Sequence, residues 1–432
     1  MSTTWVNWGR SAVAHPSAVL RPTSTEEVVE LVREAAAVGS RVKAVGSGHS
    51  FTSIAATDGV MVEMTRMTRV LHADAATGRV RVEGGLRLRD LNRLLDALGL
   101  ALPNLGDIDH QTITGAVSTG THGTGGRLHG ISKAVVGVRL VTGTGEVLDL
   151  AEGDELFGAA RVSLGALGVV TEVVLQCVPA FLLHAREEPM ALDAVWEGLD
   201  DLVDGNDHFE LYWWPHTRRT STKRNNRVPA GTEPRPVSRA RHLLEDEVLS
   251  NGAFGAICRV GTAKPAWVPA INRLNARALS AREFTDRSHE VFCSPRRVRF
   301  REMEYAVPRE AVRDVVEELA AFVDRSRLTV SFPVEIRFTA ADDVWMSTGH
   351  ERDNAYVAVH QYVQRPFADY FAGAEDIFTA HEGRPHWGKI HTRDAGYLAK
   401  RYSRFDDFLA ARDRFDPERT FANAYLDRVL GP

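Results

Sequence analysis

Apolar and polar residues alternate with two different periods along this chain, and the switches between them mark the elements. Val28, Val29, Leu31 and Val32 follow Pro22-Thr23-Ser24-Thr25-Glu26-Glu27 and predict a helix. Ser24 stands as its cap, and Glu27, three residues on, completes a capping box; the helix should end near Gly39. Residues 41–45 predict a short strand that runs directly into Gly46-Ser47-Gly48-His49-Ser50-Phe51. Residues 60–64, entered through Asp58-Gly59, and residues 80–83 predict two more strands, and 88–98 a helix stopping at Gly99. Residues 138–141 and 147–150 read as a hairpin turning through Gly143-Thr144-Gly145-Glu146. The result is a mixed α+β unit reaching to about Pro179.

Further on, residues 254–260 and 298–305 predict strands, and 334–338 and 355–362 a strand pair. Residues 310–322 form an amphipathic helix, with Val312, Val315, Val316, Leu319 and Phe322 on one face. Residues 224–245, rich in Arg, Pro and Asn, read as a long surface loop or insertion. The last forty residues are helical up to the run Thr420-Phe421-Ala422-Asn423-Ala424-Tyr425.

Composition narrows the class. A chain of 432 residues predicts two or three domains, and 44% hydrophobic with 25% charged residues is ordinary for a globular protein. A net charge of −5 offers no case for nucleic acid or an anionic membrane as partner. Three cysteines, Cys177, Cys258 and Cys293, are too scattered for a disulfide framework or a zinc site. The apolar stretch 162–183 is broken by Ser163, Gly165, Gly168, Glu172 and Pro179, so it reads as buried strands and not as a membrane span. No leader pattern opens the chain, and a reducing cytoplasmic location is expected.

Four constellations carry chemistry. Gly46-Ser47-Gly48-His49-Ser50 is a strand-to-turn segment whose N–H groups can approach a phosphate, though it lacks the third glycine of a Rossmann fingerprint. Gly115-Ala116-Val117-Ser118-Thr119-Gly120-Thr121-His122-Gly123-Thr124-Gly125 is too glycine-rich for a stable helix interior and dense in hydroxyl donors. Two such loops in one unit suggest an extended phosphate-bearing cofactor. Arg384-Pro385-His386-Trp387-Gly388-Lys389-Ile390-His391 reads as a site wall, or else as a turn with an aromatic plug; Lys389 is one of only six lysines. Glu335 and Arg337, two apart on a predicted strand, face one side, with His360 on the next strand. They suit a polyhydroxylated substrate, or a structural ion pair. Trp213-Trp214-Pro215-His216 either lines a cavity or packs in the core.

In this order, Gly-Ser-Gly-His-Ser, Asn104-Leu105-Gly106-Asp107, Gly-Ala-Val-Ser-Thr-Gly-Thr-His-Gly, Leu164-Gly165-Ala166-Leu167-Gly168-Val169, Pro333-Val334-Glu335-Ile336-Arg337-Phe338 and Arg-Pro-His-Trp-Gly-Lys resemble the sugar-1,4-lactone oxidases of the vanillyl-alcohol-oxidase superfamily, with the alditol oxidases close by. The resemblance spans nearly the whole chain and is weakest over 220–291. It implies an α+β fold: a two-subdomain FAD-binding domain formed by 1–181 and 391–432, and an α+β cap or substrate domain over 182–390. It implies cofactor contacts from Val45, Gly46, Ser47, Gly48, His49, Ser50, Phe51, Leu105, Gly106, Asp107, Gly115, Ser118, Thr119, Gly120, Thr121, His122, Gly123, Gly168, Val169, His391 and Asn423. His49 matches the histidine that bonds covalently to the flavin 8α carbon in many relatives, and a neutral imidazole is a competent nucleophile for that bond.

By the same resemblance, Lys389 lies at the flavin N1–C2 edge and supplies fixed positive charge there. Glu335 and Arg337 orient substrate hydroxyls, and His360 is a hydrogen-bond partner or base. Gly106 leaves room for oxygen, and Asp107 stands where alditol oxidases carry serine. Asp107, Asp109 and His110 could form a metal triad, but this loop falls beside FAD, and no metal is expected. The implied reaction is FAD-dependent oxidation of a CH–OH group of a sugar lactone by hydride transfer to flavin N5; with L-gulono-1,4-lactone the product enolises to ascorbate. Oxygen, giving hydrogen peroxide, or another acceptor takes the electrons. Oxidation of a polyol such as xylitol is the alternative, and a noncatalytic flavin- or sugar-binding protein a remote one. No nucleic acid and no membrane span are expected among the partners.

Overall fold

The computed structural model describes residues 4–238, 252–294 and 297–432. Strands β1 (Ala18–Leu20), β2 (Val42–Val45) and β3 (Val60–Glu63) form a small parallel sheet in the order β1-β3-β2. Helix α1 (Thr25–Ala37) buries Val28, Leu31, Val32 and Ala35 against it and against β-strand residues Val141 and Val169. Ser24 caps this helix as predicted, accepting from the Glu27 N–H. The Glu27 carboxylate, however, turns one residue upstream and accepts from the backbone and hydroxyl of Thr23 at 2.8 and 2.7 Å, so the expected reciprocal bond to Ser24 is replaced. Gly39 ends the helix at φ +66°.

A second, antiparallel sheet has the order β7-β6-β8-β5-β4, from β4 (Val70–Asp74), β5 (Arg79–Glu83), β6 (Val135–Val141), β7 (Val147–Ala151) and β8 (Val169–Gln176). The predicted hairpin is its β6–β7 pair, Val141 opposite Val147. Helix α2 (Leu88–Ala97) packs Leu88, Leu91 and Leu95 on this sheet. The glycine-rich loop opens differently from expectation. Ile113–Ser118 is a short helix, α3, capped by the Thr112 hydroxyl on Gly115 N–H. Burial of Ile113, Ala116 and Val117 offsets the helical cost of one glycine, about 1 kcal/mol.

The third sheet is antiparallel throughout and holds eight strands. They are β9 (Leu182–Ala191), β10 (His208–Trp213), β11 (Arg219–Arg227), β12 (Arg282–Arg287), β13 (Phe300–Pro308), β14 (Val334–Thr339), β15 (Asn354–Tyr362) and β16 (Arg384–Pro385), in the order β12-β9-β11-β10-β14-β15-β13-β16. The predicted pair β14–β15 is adjacent, with Arg337 opposite Tyr356. The expected loop from 224 shortens: Arg224–Arg227 completes β11, and 239–245 lies outside the described residues.

Residues predicted as a strand at 254–260 instead form helix α4 (Phe254–Ala263). Its inward groups, Cys258 and Gly261 with half-buried Phe254 and Ile257, recur every three to four residues, which is the helical period and not the strand period. Helix α5 (Val268–Ala278) follows. One face of the large sheet is covered by α6 (Val312–Arg325) and α7 (Ala368–Ala380). The predicted α6 stripe holds, with Val323 fully buried and Phe322 seated over Gly373 of α7, where a Cβ would meet its ring at 2.0 Å. The C-terminal helices α8 (Phe405–Phe415) and α9 (Ala424–Leu430) return to the first part of the chain.

Candidate active site

The other face of the large sheet is polar, and strand alternation puts it there. Leu211, Trp213, Ile336, Phe338, Met303, Tyr305, Val357 and Val359 point into the core under α6 and α7. Their neighbours, Glu210 and Tyr212 on β10, Lys223 on β11, Glu302 and Glu304 on β13, Glu335 and Arg337 on β14, and His360 on β15, point the other way. The register sets Glu210 opposite both Arg337 and Lys223, and Glu302 opposite His360. All but Glu210, which is bonded to Lys223 and Arg337, line one cavity of about 830 Å³.

Arg337 is the hub. Its Nε donates to Glu210 at 2.9 Å, and its Nη2 bonds Glu335 and stands 3.3 Å from Asp107. Lys223 holds the other Glu210 oxygen at 3.0 Å, and the Tyr212 phenol bridges Glu210 and Glu335 at 3.1 and 3.0 Å. Burial works against the Arg337 charge, but the three carboxylates more than restore it. Glu335 is pushed above the usual carboxylate range by burial and by its neighbours Asp107 and Glu210, against the pull of Arg337.

Lys389 is delivered by a segment that runs along β13. His386 N–H donates to the Glu304 carbonyl and Ile390 N–H to that of Glu302, at 3.0 and 2.9 Å. The ammonium therefore sits 2.5 Å from the Glu302 carboxylate and 3.9 Å from Glu304. Burial alone would hold Glu302 neutral; Lys389 and His360 outweigh it and bring its pKa down to about 2. Lys389 is raised in turn, the two glutamates overcoming its own burial. His360 lies 3.4 Å from Glu302, with its Nδ1 3.3 Å from the Pro333 carbonyl. His122 stands 3.3 Å from Glu304 and stacks on Tyr356. His122, Glu304 and His386, and separately Glu302, Glu335 and His360, are spaced closely enough to hold a metal ion, but Lys389 places a cation between the two groups.

A second cavity adjoins the first. His49, Ser50, Gln111 and Thr119 line both, so the two meet at His49. Val45, Gly46, Ser47, Gly48, Gly115, Ser118 and Gly168 line the second, with Lys43 among them. Among the described residues none accepts from the N–H groups of Ser47, Gly48, His49 or Ser50. Four successive free donors beside Gly48 at φ +67° make a concavity suited to an anion. Burial, with the nearby charges of His110 and Lys389, brings the His49 pKa down to about 4, so its imidazole is neutral at neutral pH.

Of the other residues expected at the site, Phe51, Gly106, Asp107, Thr121 and His122 line the first cavity. Leu105, Gly120, Gly123, Val169, His391 and Asn423 line neither cavity. Leu105 and Val169 are core residues. Gly123 packs where a Cβ would meet the Leu105 carbonyl at 2.2 Å, and Gly120 sits behind Trp387. His391 bonds the Tyr425 hydroxyl at 2.9 Å, and Asn423 caps α9 while donating to the carbonyls of Ser53, Ile54 and Ala56. Trp213 is core and Trp214 lines the cavity.

Sequence reasoning missed Glu210, Tyr212, Lys223, Glu302 and Glu304. Four of them carried a signal, single charged or phenolic residues at alternate positions within apolar strands, the same pattern that singled out Glu335 and Arg337; Lys223 stands in the polar strand 219–227 and carried none.

A family model described as D-arabinono-1,4-lactone oxidase matches residues 173–429, and one described as FAD binding domain matches 16–151. The chain is 47% identical to an L-gulono-1,4-lactone dehydrogenase from Mycobacterium tuberculosis, with all of both chains covered. It is 36% identical to L-gulonolactone oxidase from Bos taurus, over 98% of this chain and 97% of that one. It is 32% identical to an alditol oxidase from Streptomyces sp., again over the whole of both. Among solved structures, cholesterol oxidase from B. sterolicum shares the fold at a TM-score of 0.84 and 16% identity, covering 100% of this chain and 97% of that one.

Proposed function

The chain belongs to the D-arabinono-1,4-lactone oxidase family of FAD-dependent enzymes, and from that membership we propose that it oxidises a CH–OH group of a sugar-1,4-lactone of the L-gulono-1,4-lactone type. The observation that carries the reading is the convergence of Arg337, Glu335, His360 and Lys389 in one cavity that meets, at His49, a second cavity walled by glycine loops.

The residues of the second cavity fit FAD. The free N–H groups of residues 47–50 suit a pyrophosphate, and the neutral imidazole of His49 where the two cavities meet supports a bond to the flavin ring. When bound, FAD supplies the hydride acceptor. The chain's own residues do the rest. Arg337, fixed by Glu210, binds and orients the substrate hydroxyls together with Glu335. His360 serves the reacting hydroxyl as hydrogen-bond partner or base: with Nδ1–H given to the Pro333 carbonyl, Nε2 is the atom left to receive the proton, and the Glu302 carboxylate 3.4 Å away stabilises the resulting cation. Lys389, anchored by Glu302, provides preorganised positive charge where negative charge develops. Gly106 lines the same cavity and would leave room for oxygen, which, or another acceptor, would reoxidise the bound FAD. We assign 1–181 with 391–432 to FAD and 182–390 to the substrate cap, in line with a large sheet that runs from Leu182 to Pro385. A cytoplasmic setting is in keeping with three free cysteines.

Anaerobic bleaching of the yellow protein is the test. L-Gulono-1,4-lactone or a related lactone should bleach it faster than xylitol or another alditol. Bleaching by alditols alone would replace this reading with polyol oxidation, and bleaching by neither class would leave a flavin-binding protein. Reoxidation by air, by a quinone or by a cytochrome then identifies the acceptor.

A further inference from the structure

Helices α4 and α5 and the 3-10 turn Pro265–Trp267 between them form an outer wall of the substrate cavity, through Phe254, Ile257, Asn275 and Leu279. Their outward surface has an unusual composition. Residues 252–278 contain four cations, Arg259, Lys264, Arg273 and Arg277, and no carboxylate, in a chain whose net charge is −5. All four are exposed. Between them stand Val260, Trp267 and Leu274, exposed to 42, 58 and 68%. The outward face of α6, by contrast, mixes signs, with Arg313, Asp314, Glu318 and Asp324 exposed.

Helix α5 does not gather its apolar residues on its buried face. Its inward positions are Val268, Asn272 and Ala276, and the Asn272 amide is spent on the carbonyls of Pro215 and Val330 at 3.1 and 2.8 Å. The largest apolar groups, Trp267 just before the helix and Leu274 within it, face out. The fold itself does not use them. Exposed apolar side chains of this size, gathered within fifteen residues and ringed by cations, mark a surface that is covered when the protein works.

We propose that this face docks the protein on an anionic phospholipid surface, with Trp267 and Leu274 entering the headgroup boundary and Arg259, Lys264, Arg273 and Arg277 pairing with lipid phosphates. Charge complementarity selects the lipid sign. The protruding Trp and Leu select a fluid acyl boundary over an acidic protein, for which the cations alone would suffice. The whole-chain charge, which argued against such a surface, averages away this local excess. Ala253 and Ala278 are both exposed and part of the cavity lining, so docking sets the cavity opening beside the lipid.

Vesicle flotation of the full FAD-loaded protein tests this without reference to its substrate. Vesicles of phosphatidylglycerol with phosphatidylcholine should carry the protein up at low salt, pure phosphatidylcholine should not, and high salt should release it. Replacing Arg273 and Arg277 by Gln should weaken binding about fivefold per cation. The pair Trp267→Ser and Leu274→Ser should weaken it about tenfold or more. Bleaching by the soluble substrate should be unchanged in both variants, which shows that they fold. Failure to float with anionic vesicles, or flotation that neither pair of substitutions alters, overturns the proposal. So does concentration-dependent self-association that Trp267→Ser abolishes without any vesicle binding, since the face would then pair with a second copy.

Discussion

Lys389 and His49 are the two residues whose roles separate most cleanly. Lys389 is fixed by Glu302 at 2.5 Å and keeps its charge although it is largely buried. Lys389→Met removes that charge and leaves Glu302 and Glu304 facing each other, so substrate-driven bleaching should slow by about 10²-fold, the scale set by loss of one preorganised donor. Stopped-flow reduction checks it; unchanged rates would remove Lys389 from the chemistry. His49 has a different signature. Neutral at working pH and placed where the cavities meet, it should keep yellow colour in an acid-precipitated pellet. His49→Ala should move that colour entirely to the supernatant. A wild-type pellet already colourless would mean that His49 only contacts the flavin.

At the scale of elements, the polar face of the large sheet is an electrostatic unit. Arg337→Met keeps the bulk and removes the cation that Glu210, Glu335 and Asp107 share. Breaking a buried pair by removing one partner costs about 3–5 kcal/mol, so urea unfolding should shift by that amount. A double variant that also carries Glu335→Gln should recover part of it, because one stranded carboxylate is then gone. The same sheet shows what a sequence makes legible. Strands β14 and β15 and helix α6 were readable because each has one apolar face with a clean period. Residues 254–260 were not, because Phe254, Ala256, Cys258 and Val260 alternate as a strand would while Phe254, Ile257 and Cys258 fit a helix, and the run satisfies either period until Cys258 and Gly261 are seen to face inward. Glu302 and Glu304 escaped notice for another reason. Their function depends on Lys389, eighty-odd residues downstream, and only the pairing of the 386–390 segment with β13 brings them together. Asn423 was expected among the cofactor contacts from the family resemblance, and its amide is committed to three backbone carbonyls of residues 53–56, a pairing across the chain that no local pattern announces.

For the whole molecule, stability depends on seams between segments remote in sequence. The tail is tied to the first sheet where Val42 N–H donates to the Thr420 carbonyl at 2.8 Å and Lys43 donates to those of Gly165 and Phe421. The end of the glycine-rich loop is tied to the large sheet where Gly125 N–H donates to the Phe338 carbonyl at 2.7 Å and where His208 Nδ1 meets the Thr124 carbonyl at 2.9 Å. This second seam has a built-in response to acid. Burial lowers the His208 pKa from 6.5 to about 4, and its Nε2 is enclosed without a partner. A base whose pKa is lower folded than unfolded binds more protons when unfolded, between those two values. Its contribution is therefore complete above about pH 6.5, declines as pH falls toward 4, and changes no further below that. A displacement from 6.5 to about 4 corresponds to about 3 kcal/mol across that window. His208→Gln keeps a donor for Thr124 and cannot titrate, so the variant should lose stability less steeply than the wild type between pH 6.5 and 4, by up to one proton in the slope. Urea unfolding at several pH values measures both slopes. Parallel slopes would show that the seam opens before His208 is protonated and that the acid response resides in other buried histidines, of which His386, lowered to about 3 by its burial, is the next to test.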